Sequence, residues 1–346
     1  MSPLDEPARV ARLTAMLDSG LDEWSAVLTN GASLKLAASA SARDDCAVLT
    51  LPGMDLVVGS DYVRGAGFSM YEHGQMSDYD IGYYLVVANI SDVAAMGSLP
   101  AGVLVVVRYP QDLPDAAFDD IMRGADEAAR RYGTRIIGGD TGTADQLYLS
   151  GTALGVSEPG TVLRRSGAQP GDHLFVSGET GIAEAARRYF EHVADGGARL
   201  TADVEHALGE SWRRPRADVD LGLRLASSGV VTSCQDTSDG LKATINQIAE
   251  ASGVGFDVEA GNVRISPLVE QVAGVTGRPV EDLVFGGSVD FRLVFTVNGG
   301  ATTVTDFLGQ FSDAIHIGSA TAGGEARLLQ RDGSASELPG VPWRHV

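Results

Sequence analysis

Apolar and polar positions along the chain follow two recurring patterns. Short β-branched runs bounded by turn residues predict strands, and in the first half of the chain these are CAVLTL, DLVVGS, GVLVVVR, RIIGGD and LYLSGTALGV. Apolar residues at helical spacing predict helices over 80–96 and 116–132. Strands and helices therefore alternate, which indicates an α/β unit.

A Pro- and Gly-containing stretch, SEPGTVLRRSGAQPGD, interrupts this pattern and predicts a domain boundary near residue 160. A second unit follows, with predicted strands HLFVSG, VVTSCQD, FRLVFTV and AIHIG and predicted helices over 182–193, 215–228 and 241–251. A length of 346 residues fits two packed domains. We predict an N-terminal segment with an amphipathic helix near 10–17 and a mobile stretch at 30–43, then domains over 44–160 and 161–346.

Charge narrows the range of partners. The chain carries 26 basic and 46 acidic residues, a net charge of −20, which repels nucleic acid and anionic membranes. An acidic protein that handles phosphorylated ligands needs bound cations to reverse the local field. The chain has two cysteines and neither a signal-peptide pattern nor a membrane-spanning apolar run, so we expect it in the cytoplasm.

Aspartates recur at the ends of the apolar runs. One of them, Asp92, instead lies within the helical pattern NISDVAAMG. Taken singly, each is better explained as a turn former or a helix N-cap than as a metal ligand. Their repetition favours a shared divalent cation, because grouped carboxylates repel one another without one. The strand-end residues are Asp44, Asp45, Asp61, Asp140, Asp236 and Asp239.

The common nucleotide-binding motifs are missing from the chain, which has neither GxxxxGK[ST] nor a GxGxxG between a strand and a helix. Its only lysines are Lys35 and Lys242. Phosphate binding would therefore depend on metal ions, on arginine and on the backbone N–H groups of the turns GGDTG and TSDG. Arg165, at the start of RSGAQPGD, is the basic residue that we favour.

Seven segments in order, DDCAVL, GSDYV, NISDVAAMG, IIGGDTG, RSGAQPGD, WRRPRADVDLG and DTSDGL, resemble thiamine-monophosphate kinase of the aminoimidazole-ribonucleotide-synthetase-like (PurM-like) superfamily. The resemblance covers nearly the whole chain. It implies a two-domain fold of α/β plus α+β type, whose N-terminal domain dimerises through its sheet into a barrel. It also implies an ATP-dependent kinase that uses Mg2+, acts on a small-molecule acceptor and forms a homodimer.

Motif matching to this family implies a role for each candidate residue. The implied catalytic residues are Asp45, Asp92 and Asp236, and Trp343 would cover the substrate. The implied nucleotide contacts are Gly139, Asp140, Arg165 and Ser238. The implied metal ligands are Asp45, Ser60, Asp61, Asp92, Asp140, Asp236 and Asp239.

The chain departs from the family pattern on the acceptor side. Arg43 replaces a turn glycine, Gly67 replaces a substrate histidine, and Val289 and Arg292 replace two acids. Thiamine monophosphate is the default acceptor, and another small anionic or phosphorylated metabolite is the close variant. Two other functions stay open from the sequence: an ATP-dependent cyclising or dehydrating synthetase of the same superfamily, and a nucleotide-binding homologue without activity.

Overall fold

The computed structural model of the protein describes residues 8–9, 12, 16, 25–27, 29–39, 42–65 and 68–341. Most of the predicted helix near 10–17 lies outside these residues, as do Gly67 and Trp343. Among the helices in these ranges, none is both long and apolar enough to cross a bilayer.

The first sheet has seven strands in the spatial order β1-β2-β3-β4-β7-β5-β6. All neighbours are antiparallel except β5 and β6, which are parallel. This sheet is open in the described part of the chain and does not close into a barrel. Its strands are β1 (Ser25–Val27), β2 (Ser33–Ala38), β3 (Ala47–Leu51), β4 (Met54–Arg64), β5 (Leu99–Tyr109), β6 (Ile136–Thr143) and β7 (Tyr148–Ser157).

Helices cover one face of this sheet. They are α2 (Asp78–Ala95) and α3 (Asp115–Arg131), whereas the short α1 (Ser69–Glu72), which precedes them, contacts a helix of the second half. The N-terminus of α2 is fixed by a reciprocal capping box, in which Ser77 and Asp80 each accept a hydrogen bond from the other's backbone N–H. Nearly all of α2 is buried, because it packs on the first sheet and also contacts the second half of the chain.

Two glycines let α2 and α3 approach at backbone contact. A Cβ atom on Gly124 would lie 1.9 Å from the carbonyl oxygen of Tyr79, and one on Gly82 would lie 2.0 Å from that of Ile121. We expect Gly124→Ala to lower the free energy of unfolding by about 2–3 kcal/mol, because the helices must separate. The measurement is a pair of urea denaturation curves.

The matched control for that experiment is Gly274→Ala, in an exposed helical position with no atom within 4 Å of the added Cβ. It should stabilise the protein by about 0.5–1 kcal/mol, because alanine loses less backbone entropy on folding. Equal effects at the two glycines would contradict close helix packing as the cause.

The second sheet also has seven strands, in the order β14-β13-β10-β12-β8-β11-β9. Only β10 and β13 are parallel neighbours. The strands are β8 (His173–Val176), β9 (Val231–Asp236), β10 (Gly255–Glu259), β11 (Leu293–Val297), β12 (Ile315–Thr321), β13 (Ala326–Leu329) and β14 (Ala335–Glu337). The helices of this half are α4 (Ile182–Ala194), α5 (Ala202–Arg213), α6 (Val219–Ser228), α7 (Leu241–Ser252), α8 (Pro267–Thr276), α9 (Val280–Val284) and α10 (Val304–Gln310).

Several predicted elements differ from the structure. The stretch 30–43 is not simply a mobile lead-in, because Ser33–Ala38 forms β2 and pairs with β3. The helix predicted from residue 215 begins at Val219, four residues after Pro215. The segment between the predicted helices 182–193 and 215–228, for which no helix is predicted, contains α5, whose apolar face holds the buried Trp212.

Candidate active site

Three carboxylates from distant parts of the chain meet where α2 contacts β9. Asp45 precedes β3, Asp92 lies near the end of α2, and Asp236 ends β9. One carboxylate oxygen from each lies within 4.8 Å of the others. The structure thus brings together the three residues implied as catalytic, which we call the aspartate cluster.

Serine hydroxyls hold Asp236 in the cluster. Its side chain is fully buried and accepts hydrogen bonds from Ser91 Oγ at 2.5 Å and from Ser238 Oγ at 2.9 Å. Ser91 directly precedes Asp92 on α2. The same helical turn therefore carries Asp92 and hydrogen-bonds to Asp236 at the end of β9. This contact joins the two halves of the chain at the site.

Arg165 pairs with Asp45 on the other side of the cluster. Arg165 Nη2 donates to Asp45 Oδ1 at 2.7 Å, and the side chains are only 15% and 5% exposed. The backbone N–H of Arg165 also donates to Asp44 Oδ1 at 2.8 Å. Asp45 Oδ2 and Arg165 Nε are buried without a hydrogen-bond partner. Such atoms are expected to face a ligand.

Burial and mutual repulsion make it unfavourable for all three carboxyl groups of the cluster to be ionised when no cation is bound. Burial raises the pKa of Asp45 to about 7 despite the Arg165 guanidinium. Burial, reinforced by Asp236 and Asp45, raises the pKa of Asp92 well above its usual range, and burial raises the pKa of Asp236. A divalent cation removes this penalty, since carboxylate oxygens are the ligands that Mg2+ prefers. The donor set and the unpartnered Asp45 oxygen therefore fit Mg2+.

An open cavity of about 280 Å³ adjoins the cluster. Its polar side is lined by Asp44, Asp45, Ser60, Asp61, Asp92, Arg165, Ser238 and Asp239. Asp61 is set by its backbone N–H, which donates to Asn89 Oδ1 on α2 at 3.0 Å. Ser60 reaches the cavity, but its hydroxyl donates to the carbonyl oxygen of Gly151 at 2.7 Å. Most of the predicted metal and nucleotide residues therefore share one cavity.

Aromatic side chains form the opposite wall of that cavity. Tyr84 stacks on Trp212 with ring centroids 5.9 Å apart, and Phe68 and Phe291 lie 5.3 and 5.5 Å from Tyr84. Val289 completes the wall. Sequence reasoning did not single out Phe68, Trp212 or Phe291. The one signal for them was the tryptophan of WRRPRADVDLG, which lies 128 positions after Tyr84 in the chain.

Gly139 and Asp140 do not reach this cavity within one chain. They lie on β6, three strands from β4, which corresponds to roughly 14 Å across the sheet. The register aligns Asp140 with Tyr62 on the open face, whereas Asp61 points to the helix-covered face. Asp140 pairs instead with Arg108 at 2.5 Å, and that hydrogen bond lowers its pKa.

Two of the departures from the family pattern point away from the cavity. Arg43 adopts a positive φ of 52°, the conformation that favours glycine, and its guanidinium pairs with Glu250 at 3.2 Å on the surface. Arg292 pairs with Asp218 at 3.4 Å. Val289 is the replacement that does line the cavity.

Comparison with known proteins agrees with this architecture. The family model for AIR synthase related protein, N-terminal domain, matches residues 43–157, and that for the C-terminal domain matches 169–330. A solved structure of AaThiL complexed with AMPPCP and TMP superposes over 100% of this chain and 99% of its own, with a TM-score of 0.80 at 23% identity. The fold defines a two-domain AIR-synthase-related protein.

Curated relatives narrow this class. Thiamine-monophosphate kinase of Synechococcus elongatus is 33% identical over 280 residues, 79% of this chain and 82% of the relative. The kinase of Pyrococcus abyssi is 31% identical over 271 residues, 78% and 80% of the two chains. The chain belongs to the thiamine-monophosphate kinase family, whose members are ATP-dependent kinases.

Proposed function

We propose that the protein transfers the γ-phosphoryl group of ATP to thiamine monophosphate, giving ADP and thiamine diphosphate. The observation that carries this proposal is the cluster of Asp45, Asp92 and Asp236 beside a cavity with an aromatic wall. The relatives named above are kinases of this substrate, and one solved relative was complexed with AMPPCP and TMP.

The residues of the cavity divide between metal and nucleotide. Asp45, Asp92 and Asp236 would hold Mg2+, with Asp61 and Asp239 at the rim of the same cavity. Arg165 and Ser238 would donate hydrogen bonds to the nucleotide phosphates. When bound, Mg2+ supplies positive charge that neutralises the transferred phosphoryl group.

The acceptor needs little help with proton transfer. A phosphate monoester is already an anionic nucleophile at neutral pH, so no general base is required. The chain's task is to hold two anions in line and to exclude water from between them. The wall of Tyr84, Trp212 and Phe291 would bind the ring system of the acceptor and so set its phosphate toward the aspartate cluster.

A homodimer would complete the site. Asp140 lies on the open face of the first sheet, and both Asp140 and its neighbour Gly139 on β6 are far from the aspartate cluster of their own chain. The same sheet exposes the large apolar side chains Tyr62, Leu104 and Tyr148. We infer that two sheets associate through this face into the predicted barrel, which would bring Asp140 toward a site.

Two broader predictions belong to the same proposal. We infer a domain boundary near residue 160, since β7 ends at Ser157 and β8 begins at His173 in a different sheet. We also infer that the protein works in the cytoplasm, which agrees with two buried cysteines in the free thiol form.

The test is incubation of the purified protein with MgATP and thiamine monophosphate, followed by chromatography of the products. Equal amounts of ADP and thiamine diphosphate are expected. ADP with inorganic phosphate and no phosphorylated product would favour a synthetase. Tight MgATP binding without thiamine diphosphate would contradict this acceptor. In that case other phosphorylated metabolites would be screened as acceptors, because Val289 lines the acceptor side of the cavity.

A further inference from the structure

The last described residues of the chain pack against the segment that leads into the cavity wall. We call residues 337–341 the tail. The N–H of Gly287 donates to the carbonyl oxygen of Val341 at 2.8 Å, and the N–H of Gly340 donates to Asp282 Oδ1 at 3.0 Å. Val289, which lines the cavity, follows two residues after Gly287. The position of the tail is therefore tied to the acceptor side of the site.

Lys242 joins the tail to α7. Its Nζ donates to Glu337 Oε1 at 2.9 Å and to the carbonyl oxygen of Gly340 at 3.3 Å, and its side chain is only 14% exposed. Its backbone N–H donates to the carbonyl oxygen of Phe285, at the start of the loop that leads to Val289. Lys242 follows Asp239, another cavity residue, by three positions. Lys242 thus lies next to both cavity-lining segments through its backbone and contacts the tail through its side chain.

The choice of lysine here is unusual for this chain, which has 26 basic residues of which only two are lysines. The lysine ammonium has three donors, enough to serve a carbonyl and a carboxylate at once. Glu337 is 85% exposed, so the ion pair alone contributes little. The contact depends mainly on the buried methylene groups of Lys242 and on the hydrogen bond from its Nζ to the Gly340 carbonyl oxygen. Leu338, 1% exposed, anchors the tail separately.

We propose that Lys242 is a positioning residue that sets the tail, and through it the outer edge of the acceptor pocket, without contacting substrate. The kinetic part of this inference rests on the proposed kinase function. Lys242→Met should raise KM for thiamine monophosphate about five- to tenfold, while kcat and KM for ATP change less than twofold. Lys242→Arg should restore most of the affinity, because it can still donate to both partners.

Two controls separate positioning from general stability. Lys35→Met removes the other lysine of the chain, exposed on β2, and should leave all constants unchanged. A chain ending at Ser336, which lacks the tail, should itself show the raised KM. In that shortened chain Lys242→Met should add no further increase. An equal increase in the shortened and the full-length chain, or no increase in either, would overturn the proposal.

Hydrogen exchange tests the contact independently of turnover. The amide of Gly287, which donates to Val341, should exchange faster in Lys242→Met than in the wild type and in Lys35→Met. Unchanged exchange would show that Lys242 does not hold the tail. If wild-type protein makes no thiamine diphosphate while the exchange result holds, the proposed acceptor fails and the positioning role stands.

Discussion

Asp92→Asn is expected to abolish phosphoryl transfer, with a loss in kcat/KM of at least roughly 10³-fold, without weakening the fold. Asp92 contributes one of the three carboxylate oxygens that lie within 4.8 Å of one another. Asparagine keeps the shape and removes the charge that would hold the metal. In metal-free protein the change also removes like-charge repulsion, so the free energy of unfolding should stay equal or rise.

Two measurements test this. Initial rates of ADP formation are measured with MgATP, and urea unfolding is measured once in chelator and once with MgATP in place of the chelator. Asp55→Asn is the matched control, because Asp55 is a buried aspartate of the same half that accepts hydrogen bonds from Thr50 Oγ1 and the Gly160 N–H outside the site. It should lose stability and keep its activity per folded molecule. Full activity in Asp92→Asn would refute the assignment of the aspartate cluster.

Arg165→Met is expected to lower both stability and activity. The change leaves Asp45, 5% exposed and paired with Arg165 at 2.7 Å, without its cation. Breaking a buried ion pair from one side costs about 3–5 kcal/mol, because the remaining charge is uncompensated. Loss of a proposed phosphate donor should reduce kcat/KM by at least about tenfold.

The neighbouring residue offers the control for Arg165. Arg164 is 27% exposed and pairs at 3.2 Å with Asp44, which is 3% exposed and keeps the hydrogen bond from the Arg165 N–H, so Arg164→Met should cost only about 1–2 kcal/mol. Urea midpoints and steady-state rates for the two variants give the comparison. Similar losses at both positions would show that the Arg165 pair has no special role in the site.

Much of the site could be predicted because its chemistry depends on which residue types are present and where they occur in the sequence. Carboxylates at Asp45, Asp92 and Asp236, a nearby arginine and a serine turn were recognisable before any contact was known. Their grouping followed from physics as well, since so many strand-end acids are tolerated together only around a cation. Strand and helix periodicity likewise located α2 and the long strands of both sheets.

The aromatic wall could not be predicted in the same way. Phe68, Tyr84 and Trp212 come from a loop, from α2 and from α5, and apolar residues at helical spacing are equally consistent with ordinary core packing. Their convergence on one cavity depends on how helices of the two halves pack. No local pattern carries that information.

The order and register of the strands keep Asp140 away from the cavity of its own chain. In the sequence it resembles Asp61, since each follows an apolar strand run. In the structure β7 and β5 lie between their strands, and the register turns the two side chains to opposite faces. Side chains alternate at every residue along a strand, so the face is set by register rather than by the motif.

The sequence by itself therefore determined the class of chemistry, the two α/β units and the residues able to bind metal, because these depend on composition and local periodicity. The tertiary structure decided which of those residues meet. It joined Asp92 to Asp236 through Ser91, built the aromatic wall and set Lys242 against the tail. Contacts between segments so far apart in the chain arise from strand order and helix packing, which no local pattern in the chain specifies.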